Sequence, residues 1–217
     1  MKKANVCFVL RIQTRHGKMS EMPVIEFATP DFDYDVLEAQ LKAYQPAPDK
    51  YPHDVPSIIC IEEGIRAGRL GNVAVGGCLY KNDELFMRDA TKANSPYHRT
   101  DLHAEMVLLN ALEDHLCDDK SPRMRDYTLF TGQEPCPLCL ARICFNQVGN
   151  VYYVYRDAFS PEAGEQTNWE RLPPGFQLLG SRIVLEEANC SPVLKEISRQ
   201  VWLNSIGKAV NEFLDRY

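Results

Sequence analysis

The chain has 217 residues, 45% apolar content and a net charge of −6. That size supports one ordinary hydrophobic core. The acidic balance does not suggest a general polyanion binder and weakly disfavours a large nucleic acid as partner, because phosphate contacts are made mainly by Lys and Arg. The one small basic cluster, Arg11, Arg15, His16 and Lys18, reads as a solvated strand and turn.

The opening Met1-Lys2-Lys3 could suggest a secretory leader, but the apolar run Val6 to Leu10 is only five residues long. A leader needs ~7–15 apolar residues and a membrane span ~20. The expected location is therefore the cytoplasm. Six of the eight cysteines lack framework spacing and read as small buried hydrophobes in a reducing compartment.

In chain order, Val6–Ile12 and Val24–Phe27 read as strands around Gly17. Asp35–Tyr44 has helical spacing. Pro46 to Pro56 is proline-rich and reads as a stiff connector. Residues 1–56 are thus expected to be an extension packed on the remainder, 57–217. Ser57–Arg66 predicts a helix stopped at Gly68. Asn72–Tyr80 and Leu85–Arg88 predict a β-hairpin. A polar loop, Thr91–Leu102, leads into a helix over His103–Leu116. Tyr127–Thr131 predicts a strand, Cys136–Gln147 a helix with Pro137 in its first turn, and Val151–Tyr155 a buried strand. Ser160–Arg171 predicts a short helix stopped by Pro173-Pro174-Gly175. Ile183–Leu185 predicts a strand, and the tail one or two helices. Alternating strands and helices imply an α/β fold with helices on both faces of a mixed sheet, its site in the strand-to-helix loops.

Two of those helix mouths carry the chemistry. One is Leu102-His103-Ala104-Glu105, the other Glu134-Pro135-Cys136-Pro137-Leu138-Cys139. His103, Cys136 and Cys139 supply three N/S donors, the number a catalytic zinc takes while leaving its fourth position to water. The i, i+3 cysteines point to one locus, and helix N-termini favour thiolate. Cys144 is a rival donor, expected about a turn deeper. Glu105 is placed to take a proton from the attacking water and return it to the ring nitrogen and leaving amine. As a fourth ligand it would instead close the site and make it structural. A Cys-x-x-Cys alone also suits a zinc knuckle or a redox pair; the His-x-Glu beside it favours catalysis.

The motif pair, with the element order from Ser57 to Glu187, resembles the cytidine deaminase-like superfamily, whose signature is His-x-Glu followed by Pro-Cys-x-x-Cys. Glu134 to Ala141 and Val151 to Ala158 are similar to the group holding guanine deaminases and tRNA adenosine deaminases. The resemblance covers about 130 of 217 residues. It implies a three-layer α/β/α sandwich on a mixed five-stranded sheet with C-terminal helices, zinc as cofactor, and a dimer or larger assembly. It implies base contacts at Asn94, Asp157 and the backbone near Ala104 and Glu134. His98 and Arg99 read first as an exposed polar loop, and as candidate phosphate contacts only for a nucleotide substrate. The function expected is hydrolytic deamination of a nucleobase, nucleoside or nucleotide, with no membrane partner. RNA, most readily adenosine in a tRNA loop, is disfavoured by the charge and by the lack of a basic, aromatic-rich tail. A non-catalytic zinc assembly module is disfavoured because it has no use for Glu105.

Overall fold

The computed structural model describes residues 32–120, 123–156 and 167–214, with side chains to 209. The elements are α1 (Tyr34–Ala43), α2 (Asp54–Arg69), β1 (Gly76–Lys81), β2 (Glu84–Ala90), α3 (Ala104–His115), β3 (Tyr127–Gln133), α4 (Pro137–Asn146), β4 (Asn150–Tyr155), α5 (Pro174–Leu179), β5 (Val184–Glu187) and α6 (Pro192–Leu214). The sheet order is β2-β1-β3-β4-β5. β1 pairs antiparallel with β2 and β3, while β3, β4 and β5 run parallel. This is the expected mixed five-stranded sheet.

Strand alternation divides the core into two layers. On one face, Phe130 joins Leu37 and Leu41 of α1, Ile61 and Ile65 of α2, and Leu194, Ile197 and Val201 of α6. On the other, Leu129 joins Leu108, Leu109 and Leu112 of α3 with Leu140 and Ile143 of α4. Side chains at these positions are almost wholly buried, and each such burial contributes roughly 1.5–3 kcal/mol relative to exposure. The result is three layers, α/β/α.

The glycine pair at the start of β1 has a packing cause. A Cβ on Gly76 would lie 2.3 Å from the Cys60 carbonyl oxygen, so α2 lies against this strand backbone to backbone. Asn82 and Asp83, both at positive φ, make the two-residue hairpin turn into β2.

Four expectations need correction. The connector does not run to Pro56: α2 already begins at Asp54. Pro56 fits its first turn because the N–H groups there have no intrahelical partner. Nor does α2 stop at Gly68. It ends in a Schellman turn, with Gly71 at φ 83° and the Asn72 N–H donating to the Ala67 carbonyl at 3.0 Å. Gly68 instead packs under Tyr34, whose hydroxyl would sit 2.1 Å from an added Cβ. Pro173-Pro174-Gly175 starts α5 rather than stopping a helix, with Pro174 as its first residue. The helix expected over Ser160–Arg171 lies partly outside the described residues, and 168–171 form a turn. The tail is one 23-residue helix, α6. The strands expected at Val6–Ile12 and Val24–Phe27 lie outside the described residues.

Candidate metal centre

The two motifs come together at neighbouring helix mouths. His103 is the residue that caps α3 and Cys136 the one that caps α4; both have extended backbones, and neither side chain caps its helix. Both side chains are therefore free to face the space between the helices. Cys139 follows in the first turn of α4. His103 Nδ1 lies 3.5 Å from Cys136 Sγ and 3.6 Å from Cys139 Sγ, and the two sulfurs are 3.6 Å apart.

That near-equilateral triangle fits a tetrahedral zinc. Bond lengths of about 2.3 Å to sulfur and about 2.0–2.1 Å to nitrogen predict donor separations of roughly 3.5–3.8 Å. Among the described residues these three form the group able to hold a metal ion. Cys144 does not join them: it is wholly buried with Leu140 and Ile143 in the apolar layer.

Glu105 is 4% exposed. Its Oε1 accepts a hydrogen bond from the Thr131 hydroxyl at 3.2 Å, and its Oε2 lies 3.4 Å from Cys139 Sγ. Burial raises its carboxyl above the ordinary range. The cysteines split in opposite directions. The hydrogen bond from Cys139 lowers Cys136 to about 4, with His103 adding to the effect. The same bond, with burial, pushes the Cys139 thiol up. His103 is raised chiefly by its hydrogen bond with Cys136. A cation at the centre of the triangle favours thiolate at both sulfurs.

The turn between β3 and α4 is fixed from outside. Glu134 Oε1 accepts the Asn168 backbone N–H at 2.7 Å, and the Asn168 side-chain amide donates to the Pro135 carbonyl at 3.2 Å. On the other side, the buried Asn72 carboxamide oxygen accepts the backbone N–H groups of Asn94 and Ser95, at 2.9 and 3.0 Å. Asn72 thus pins the loop that leads to His103. Thr131, Asn72 and Asn168 were not among the expected site residues, because each acts through a partner far away in sequence.

The other expected residues are dispersed. Ala104 is fully buried as the first residue of α3. Asn94 is held by its backbone, as above. His98 and Arg99 are exposed, and the Arg99 guanidinium is engaged by both Asp101 carboxylate oxygens. Asp157 lies outside the described residues.

No protein-family model matches the chain. It is 30% identical over 105 residues to a tRNA-specific adenosine deaminase of Bacillus subtilis (strain 168), a match covering 48% of this chain and 60% of that relative. The chain thus spans about 60% of the length of the curated relative it matches. Its fold is similar to a solved structure from a study of A-to-I editing by tRNA:A34 deaminases at the wobble position of transfer RNA. That match has a TM-score of 0.51 and 17% identity over 66% of this chain and 95% of the other. It is equally similar to a guanine deaminase from Nitrosomonas europaea, with a TM-score of 0.51 and 17% identity over 75% and 90% of the two chains. At these identities the solved structures speak to fold, and the fold agrees with the donor set built above. Sheet order and layering are those of the cytidine deaminase-like fold, and the His103, Cys136, Cys139 group sits at the helix mouths of that fold.

Proposed function

We propose that this chain is a zinc-dependent hydrolytic deaminase, with residues 57–217 as its catalytic domain and 1–56 as an extension. It replaces a ring amino group of a nucleobase, nucleoside or nucleotide with oxygen and releases ammonia. The observation that carries this reading is the buried Glu105 carboxylate set 3.4 Å from one sulfur of a three-donor metal group. A structural zinc takes four protein ligands; three donors and an adjacent carboxylate suit catalysis.

His103, Cys136 and Cys139 would hold the metal, which supplies a Lewis acid that makes water nucleophilic near neutral pH. Glu105 takes the proton as the water oxygen bonds to the amidine carbon. It passes that proton to the ring nitrogen, then takes the remaining proton of the added hydroxyl and delivers it to the amine, so that the C=O forms as the C–N bond breaks and ammonia leaves. Thr131 holds Glu105 in the orientation this needs. Thr131→Val removes that hydrogen bond without changing volume much. It is expected to lower turnover about fivefold, the worth of ~1 kcal/mol, with zinc content unchanged. Loss of zinc, or unchanged turnover, would show that Thr131 does not position the base.

Base contacts are proposed at Asn94, the Ala104 backbone and Asp157. The buried place of Ala104 at the helix mouth supports the second of these. A homodimer is supported by the exposed apolar side chains Leu138, Phe145 and Leu178 on α4 and α5; a monomer in sedimentation would end that idea. A cytoplasmic location is supported by the seven described cysteines, all free. None of the described helices is long and apolar enough to cross a membrane.

One observation favours a second reading, adenosine in tRNA: the matched Bacillus relative is named for that activity. The net charge of −6 argues against it. Ammonia release from cytosine, adenine and guanine, with their nucleosides and nucleotides, decides between them. Release from one or more of these supports the first reading. Silence across that panel with activity on tRNA establishes the second.

A further inference from the structure

Gln133 ends β3 and is 5% exposed, yet neither its Oε1 nor its Nε2 has a hydrogen-bond partner among the described residues. Burying a primary amide with both ends unpaired is costly, and folded proteins keep such groups few. An amide left unpaired at both ends beside a candidate active site calls for a ligand.

Its direction follows from strand alternation. Leu129 packs with α3 and α4, and the Thr131 hydroxyl meets Glu105 on α3. Between them Phe130 joins the opposite layer, and beyond Thr131 the Gly132 carbonyl accepts from Ser198 of α6. Residue 133 is next on the metal-bearing face. The register with β4 stays regular to this point, with Thr131 opposite Tyr153 and Gln133 opposite Tyr155. Gln133 is two residues past the side chain that holds Glu105 and three before the metal donor Cys136. Its amide therefore projects from the sheet beside the reacting site.

We propose that Gln133 is a specificity-determining residue that reads the substrate ring through a paired hydrogen bond. The inference rests on the deaminase reading above. Both ends of the amide need a partner, so the ring must offer a donor and an acceptor side by side. The amidine edge cannot serve, because it faces the metal group and Glu105. A lactam edge fits: its N–H donates to Oε1 and its carbonyl accepts from Nε2. Rings of the 2-amino-6-oxopurine and 2-amino-4-oxopyrimidine type carry that edge next to the amidine. An N9-substituted adenine offers only bare ring nitrogens outside its amidine, and an N1-substituted cytosine only a carbonyl. The inferred substrate class is thus an aminated ring with an adjacent lactam.

The test separates binding from chemistry. Zinc-loaded Glu105→Gln protein, with or without Gln133→Leu, is titrated calorimetrically with 9-methylguanine, 9-methyladenine and 1-methylcytosine. The methyl groups block the N–H that each free base would otherwise add as a second donor. The protein carrying Gln133 should bind 9-methylguanine tightest. Gln133→Leu should weaken that binding roughly 5- to 150-fold and erase the preference. Gln133→Met, closer in volume, should do the same if the leucine variant does not fold. Unchanged affinity for 9-methylguanine in a folded variant, or a parent protein that prefers either other ring, overturns the proposal. Wild-type ammonia release is read separately. Gln133-dependent binding without any release supports the ring-reading role and overturns the deaminase reading. Release unaffected by Gln133→Leu does the reverse.

Discussion

Glu105→Gln is expected to keep its zinc and lose turnover by about 10²- to 10⁴-fold, the usual worth of a positioned general acid–base group. The substitution preserves shape, and the Gln carboxamide oxygen can still accept the Thr131 hydroxyl proton that Oε1 now accepts. What it removes is the capacity to carry a proton between water and the leaving amine. Glu105 is not one of the three donors of the triangle, so metal content should stay at one per chain. Zinc analysis and ammonia release on the same preparation check both halves. A variant that turns over normally would end the proton-transfer role. A variant that loses zinc would make Glu105 a ligand and the site a closed, structural one.

Cys139→Ser should weaken zinc binding by more than about 100-fold, beyond the ~10- to 100-fold typical of losing an outer partner of a ligand. Cys139 is wholly buried, and its sulfur lies within 3.6 Å of both other donors. A serine hydroxyl in its place is a harder and more weakly acidic donor. The loss should also appear as stability. A ligand that binds only the folded state adds about 2.7 kcal/mol at a hundred times its dissociation constant. Added zinc should therefore raise the melting temperature of the wild type and leave that of Cys139→Ser where it was. A serine variant holding stoichiometric zinc against a chelator would show the ligand set to be wrong.

The candidate metal group is legible in the sequence because coordination demands fixed residue types at fixed spacing, and the structure brings those three residues together. Cys136 and Cys139 must be a helical turn apart, and His103 must open its own helix. The strands were legible where alternation or a continuous apolar run survived, as at Val151 to Tyr155. The ends of helices are less legible. Gly68 and Gly71 both lie near the end of α2, and only backbone geometry shows which carries the positive φ. Pro173 and Pro174 signal a helix start as well as a stop, and the sequence does not separate the two. The supporting residues were the least visible. Thr131, Asn72 and Asn168 act through partners 26, 22 and 34 residues away, and no local pattern marks such pairs. Gln133 is legible only through unmet hydrogen-bonding capacity, which has no meaning before the fold is known.

The two apolar layers also differ in how far along the chain their members are drawn from. The layer behind the sheet joins Leu37 of α1 to Val201 of α6. The layer beneath the metal group is drawn from Leu79 to Leu172, a shorter stretch nested inside the first. The entropy lost on closing a loop grows with its length, though slowly. In topological terms the metal-bearing layer is the more local half of the molecule, and the costlier closure falls to the helix that seals the opposite face.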